Sequence, residues 1–175
     1  LMRSAGSPGS PMTFQVNRQQ RLSGSRDIVK RFIGIVIAIL LLGYGVVRMG
    51  VGALLLAQTL DIVNFPDLAE GVAEVKLFID ARANYQILPF SLNGYFGYIL
   101  AMGVLLSAGA GGVIARAQWG FKTLGVYMVM HAALFVNFQE INPKLLVLIL
   151  QIIMLFTLYY LMPPVKLLET EQSDS

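Results

Sequence analysis

Four long apolar runs, at about 32–57, 89–115, 121–138 and 145–162, alternate with polar stretches along the chain. A hydrocarbon core of ~30 Å takes about 20 residues of helix, so runs of this length read as membrane spans. The first run is broken only by Arg48 and is long enough to cross with some tilt. It is too long for the apolar region of a signal peptide, and no small-residue cleavage site follows it at once. It reads as a retained transmembrane helix.

The 58–88 connection has a different pattern. Leu68, Val72, Val75 and Ile79 recur at i, i+4, i+7 and i+11, which is one face of a helix. Asn64 and Pro66 supply a start, and Lys76 and Asp80 an i,i+4 ion pair. This predicts a short amphipathic helix lying on the outer membrane surface. The remaining connections are short. Arg116 and Lys122 lie in the turn between runs two and three, QEINPK separates runs three and four, and Pro163 with Pro164 stops the last helix.

Short second and third connections make an antiparallel neighbour arrangement the simplest one. The predicted fold is an all-α integral membrane protein, a four-transmembrane-helix antiparallel bundle forming one domain over 31–163. Residues 1–30 are expected to be a basic, disordered or surface-lying arm, with 1–11 read as a vector scar or an over-extended start. Residues 164–175 are expected to form a short polar tail on the cytoplasmic side.

Charge placement gives the orientation. Six of the thirteen basic residues (Arg3, Arg18, Arg21, Arg26, Lys30, Arg31) precede the first run, with only Asp27 opposing them. The 58–88 segment carries five acids against two bases. Lys and Arg concentrate on the cytoplasmic side of membrane proteins, so both termini are expected inside. A basic arm can also bind nucleic acid or anionic lipid, but directly before a span it is more simply a topology signal, and no nucleic-acid partner is expected. Phe90, Trp119, Tyr159 and Tyr160 lie near span ends, where interface anchors belong.

Composition narrows the chemistry. Hydrophobic residues make up 56% and charged residues 13% of 175, roughly half the charged share of a soluble protein. There is no cysteine, which removes disulfides, thiolate chemistry and Cys-based metal sites. The single histidine excludes a site needing two imidazoles from one chain. No metal or cofactor is expected.

Arg48 is the most informative residue. It falls about 6 Å past the middle of its span, at 1.5 Å per residue. An arginine at such depth costs about 2.5–3.5 kcal/mol on insertion scales, so it should face a partner, a cavity or another subunit. The competing expectation is that it snorkels to the headgroups. Gly45 and Gly52 flank it on the same face and leave room for a close helix or a ligand.

His131 lies near the centre of its run, either as a hydrogen-bonded packing residue with Tyr127 at i−4 or as a proton relay or axial ligand. Gln151 needs polar partners in lipid, and such an amide commonly serves helix association. Counting inward from span ends puts Arg48, Tyr98, His131 and Gln151 in one layer, with Glu140 and Asn137 just above. If these face inward they make a polar pocket with a cationic floor, suited to a carboxylate or anionic headgroup.

Small residues mark the second run. Gly97, Ala101, Ala108 and Gly112 keep to one face, and Gly103 and Ser107 to another, which favours close packing by more than one neighbour. Gly109, Gly111 and Gly112 lack the preceding strand and following Lys-Ser/Thr of a phosphate loop. No Asp or Glu lies in any apolar run, which argues against transport coupled through an embedded carboxylate.

The leading functional expectation is a non-enzymatic structural or accessory subunit of a membrane complex or homo-oligomer in a bacterial inner membrane, in contact with lipids. The alternative is a channel or carrier for a small anionic or lipidic solute at Arg48 and His131. A weaker third is a membrane enzyme or haem subunit using His131.

Overall fold

The computed structural model describes residues 11–139 and 144–163, with side chains described over 28–139 and 145–163. All regular structure among them is helical: α1 (Pro11–Thr59), α2 (Pro66–Ala81), α3 (Leu92–Ile114), α4 (Trp119–Phe138) and α5 (Lys144–Leu161). Three helices are long and apolar enough to cross a membrane, through Ile28–Thr59 of α1 and the whole of α3 and α4. That marks the chain as a membrane protein. The apolar part of α5, Leu145–Leu161, is shorter.

α1 differs from expectation at its start. It begins at Pro11, so from there on the stretch read as a disordered or surface-lying basic arm is helical backbone continuous with the span. Pro suits the first turn of a helix, and the residues that follow are mostly good helix formers. Gly24 costs only about 1 kcal/mol, too little to stop a helix already nucleated by its apolar half.

The helix ends use a device the sequence hides. Asp61 and Arg116 adopt left-handed backbone, at φ 56° each. Ile62 N donates to Ala57 O at 2.9 Å and Asp61 N to Gln58 O at 3.3 Å, and Ala117 N and Arg116 N bond Gly112 O and Val113 O in the same way. Each is a Schellman closure, usually built on glycine. Gln139, at φ 48°, ends α4.

α1 and α3 run antiparallel with their backbones in contact. A Cβ added at Gly45 would come within 2.8 Å of Ser107 N, one at Gly52 within 2.8 Å of Leu100 N, and one at Gly103 within 2.5 Å of Met49 N. Ala38, fully buried, continues this stripe at seven-residue spacing with Gly45 and Gly52. Only small residues allow helices so close, and dispersion across that contact replaces the hydrophobic effect that lipid cannot supply.

The α3–α4 turn closes in the same manner. Cβ atoms on Gly112 or Gly120 would meet the other helix's backbone at 2.8 Å and 2.6 Å. α5 packs on both α1 and α4, and Gly34 of α1 lies under Met162 at the end of α5. Leu41, Met102, Leu106, Leu124, Tyr127 and Leu158 fill the space between the helices.

α2 lies across the end of this assembly at which α1 and α4 finish. Pro66 opens it, its stripe Leu68, Val72, Val75 and Ile79 turns inward, and Asp67, Glu70, Glu74 and Asp80 are exposed. Lys76 Nζ and Asp80 pair at 2.6 Å, on the exposed side. The following segment is pinned by Asn137, whose Oδ1 accepts from Leu88 N at 2.7 Å and whose Nδ2 donates to Leu88 O at 3.1 Å.

Candidate functional site

Beneath α2 the helices separate around a cavity of about 260 Å³, lined by Tyr44 and Arg48 of α1, Phe78 of α2, Tyr95 and Ile99 of α3, His131, Leu134, Phe135 and Phe138 of α4, and Val147 of α5. Its walls are mostly aliphatic and aromatic, with a few polar groups, the usual composition of a small-molecule site. Phe78 and Phe138, ring centroids 5.3 Å apart, stand on its α2 side, with the Arg82 guanidinium 4.0 Å over Phe78.

Arg48 is the charge in this space. Its Nη2 donates to Met102 Sδ at 3.5 Å, and its Nε is buried without a hydrogen-bond partner. Thioether sulfur is a weak acceptor, while a guanidinium carries five donors. Among the described residues no carboxylate lies within ion-pair distance of it. A charge kept inside a membrane protein normally pairs or faces water, because leaving it bare is costly. Arg48 is therefore a cation with room for an anion beside it.

His131 is held from behind. Its Nδ1 lies 2.9 Å from Gln151 Oε1, and Tyr127 Oη donates to the same oxygen at 3.0 Å. The hydroxyl is also 3.3 Å from Nδ1. A carboxamide oxygen only accepts, so in the neutral ring the proton sits on Nδ1 and Nε2 keeps its lone pair. His131, Gln151 and Tyr127 are all buried, so the trio is a fixed internal network joining α4 to α5. The ring lines the cavity, and the nitrogen free to meet a ligand there is Nε2.

The residues expected to share one layer divide. Arg48 and His131 meet at the cavity. Gln151 stands behind His131, and its amide oxygen is used inside the chain. Tyr98 does not line the cavity: its Oη donates to Met130 O at 2.7 Å, tying α3 to α4. Tyr95, about one turn earlier, takes its place. Glu140 lies outside the described residues. Asn137 holds backbone and has no part in the cavity lining.

The small residues divide too. Gly45 and Gly52 pack on α3, and Gly112 on Gly120. Gly97 has nothing within 4 Å of where a Cβ would stand, and Ala101 and Ala108 are exposed. The face of α3 that closes on α1 is the other one, with Gly103 and Ser107.

Sequence reasoning misses Tyr44, Phe78, Tyr95 and Val147. Tyr44 carries a signal, standing four residues before Arg48 on the same face. Phe78 and Val147 carry none, since their place depends on how α2 and α5 dock. Comparisons with protein-family models, with curated proteins and with solved structures find no match. Function has to be argued from the cavity itself.

Proposed function

We propose that this protein holds a small anionic or lipidic solute inside the membrane, at Arg48 and His131, as a carrier for that solute. The observation that carries the reading is Arg48, without a carboxylate in ion-pair distance among the described residues, on the wall of a cavity that His131 also lines. A guanidinium donates to carboxylate or phosphate oxygens through a planar fork, and in a low-dielectric site such bonds are strong. The Gln151–Tyr127 network orients the imidazole before a ligand arrives, which lowers the ordering cost of binding.

The surrounding frame in this reading is a four-span antiparallel bundle in a bacterial inner membrane, with both termini in the cytoplasm. The basic residues ahead of the apolar run of α1 and at the α3–α4 turn mark the inner end, and the acidic face of α2 the outer. α5, at 18 residues and 1.5 Å each, is about 27 Å long, which a bilayer can accommodate by slight thinning. The cavity then belongs to the outer half of the bilayer, roofed by α2.

The test uses the purified chain in a neutral maltoside detergent, followed by thermal unfolding with decyl phosphate, acetate or inorganic phosphate added. At least one anion is expected to raise the midpoint of the wild-type chain and to leave that of Arg48→Gln unchanged. Equal shifts in both would remove the reading.

A second reading, as a structural or accessory subunit, is favoured by one specific observation. Gly97, Ala101 and Ala108 form a small-residue face on α3 that no helix of this chain covers among the described residues. In lipid such faces admit close helix neighbours. A particle larger than one chain after mild extraction, reduced to one chain by Ala101→Trp, supports it; a monomer without companions counts against it.

A further inference from the structure

The same cavity, taken as an anion site in the reading above, points to what kind of anion and by which route. From its size, its mouth and the proton on His131 we infer that the ligand is a lipid-like phosphomonoester, entering sideways from the bilayer between α1 and α5.

The mouth comes first. Of the residues that line the cavity only Tyr44 on α1 and Val147 on α5 are exposed, at 42% and 41%. They stand on two neighbouring helices, and the surface around them is apolar: Leu40, Val47 and Val51 on α1, and Leu146 and Leu150 on α5, are exposed as well. Away from α2 the α1–α5 seam is shut, with Gly34 pressed against Met162. The opening therefore faces hydrocarbon, and what arrives through it arrives from lipid.

Volume comes second. About 260 Å³ is at the lower edge of small-molecule sites, which run from roughly 300 Å³. It takes a headgroup and the first part of a chain. A longer tail has to stay outside, and a mouth onto hydrocarbon is where a tail loses nothing by staying.

Chemistry comes third. Arg48 supplies donors and one positive charge, and His131, with Nδ1–H engaged by Gln151, offers a bare Nε2. The pair fits a head that has both a negative oxygen and an O–H. A phosphomonoester monoanion has both: its oxygens accept from Arg48, and its hydroxyl donates to Nε2. A phosphodiester has no O–H and sets its oxygen lone pairs against that of Nε2. An ionised carboxylate has the same defect.

The experiment is native mass spectrometry from detergent micelles doped in turn with lysophosphatidic acid, phosphatidylglycerol, palmitate, or inorganic phosphate alone. The chains are wild type, Arg48→Gln, Val147→Trp to plug the mouth, and Ile153→Trp as a control on the lipid-facing side of α5, each first shown to unfold cooperatively. Wild type and Ile153→Trp are expected to retain one lysophosphatidic acid at least about tenfold better than phosphatidylglycerol or palmitate, with retention lost in Arg48→Gln and cut severalfold in Val147→Trp. Equal retention of phosphatidylglycerol or palmitate overturns the headgroup assignment. Inorganic phosphate binding as tightly as the lipid, or full lipid retention in Val147→Trp, overturns the lateral route and leaves the anion site standing. Retention of every ligand by Arg48→Gln as by wild type takes the anion site down as well.

Discussion

One helix, α1, meets its neighbours in two opposite ways. Toward α3 it presents Gly45 and Gly52, and the backbones touch with no room for a methyl group. Toward α4 and α5, a fraction of a turn away, it presents Tyr44 and Arg48, and the helices stand apart around about 260 Å³ of space. Protein interiors are close-packed, and a void forfeits the dispersion contacts that hold helices together in lipid. A chain that seals one seam so tightly does not leave the other open for want of small residues. The tight seam holds α1 against α3, and the open side has Arg48 and His131 on its walls.

The contrast can be broken most forcefully at the tight seam. Gly45→Leu drives side-chain atoms into the Ser107 backbone and is expected to cost about 3 kcal/mol or more, lowering the melting midpoint sharply or preventing accumulation. Gly43→Leu and Gly50→Leu, on the same helix with nothing within 4 Å, are expected to be neutral or slightly stabilising in the same melting assay. If all three behaved alike, the backbone contact between α1 and α3 would be wrong.

A second probe concerns what holds the roof of the open side. Asn137→Ala removes both bonds to Leu88 and frees its N–H and C=O, for an expected loss of about 2 kcal/mol. Hydrogen exchange at 82–91 should quicken in this variant while α1–α3 amides keep their protection. A smaller effect is expected of Gln151→Leu, about 1 kcal/mol, because Tyr127 Oη and His131 Nδ1, 3.3 Å apart, can partly satisfy each other. Its more telling readout is a change in the histidine's ring-nitrogen NMR shifts as Nδ1 loses its fixed acceptor.

The smallest effect lies away from both seams. Gln139→Gly relieves left-handed backbone at the end of α4, and a gain of about 0.5–1 kcal/mol is expected by chemical unfolding in mixed micelles. A loss there would mean the Gln139 side chain matters more than its backbone.

Much of this architecture is legible in the order of the residues. Apolar length locates α1, α3, α4 and α5 to within a few residues over their apolar parts, because a backbone surrounded by apolar groups has to satisfy its own hydrogen bonds as one uninterrupted helix. Periodicity locates α2, since its stripe has to turn toward the apolar side whatever the details of docking. Arg48 and His131 draw notice because polar groups in apolar runs must be accounted for energetically, and they do share a cavity.

What stays hidden depends on rotation. Placing Tyr98 rather than Tyr95 at the cavity is an error of three positions, most of a helical turn, and depth counting cannot resolve which way a side chain points about the axis. The same blindness leaves open which small-residue face of α3 meets α1: Gly103 and Ser107 do, and Gly97, Ala101 and Ala108 do not. Both faces carry small residues, so composition alone has no means of choosing. The αL helix ends at Asp61, Arg116 and Gln139 are invisible because none is the glycine that usually announces such an end.

The most direct measurement is the melting midpoint of Arg48→Leu against wild type, in neutral detergent, without and with decyl phosphate. A guanidinium kept without an acid partner among the described residues contributes little to the empty protein, so the variant should melt at the wild-type temperature or above it and show no rise when the anion is added. A variant that melts far below wild type without ligand, or that gains as much from the anion, would show that Arg48 serves the fold and not an occupant of the cavity.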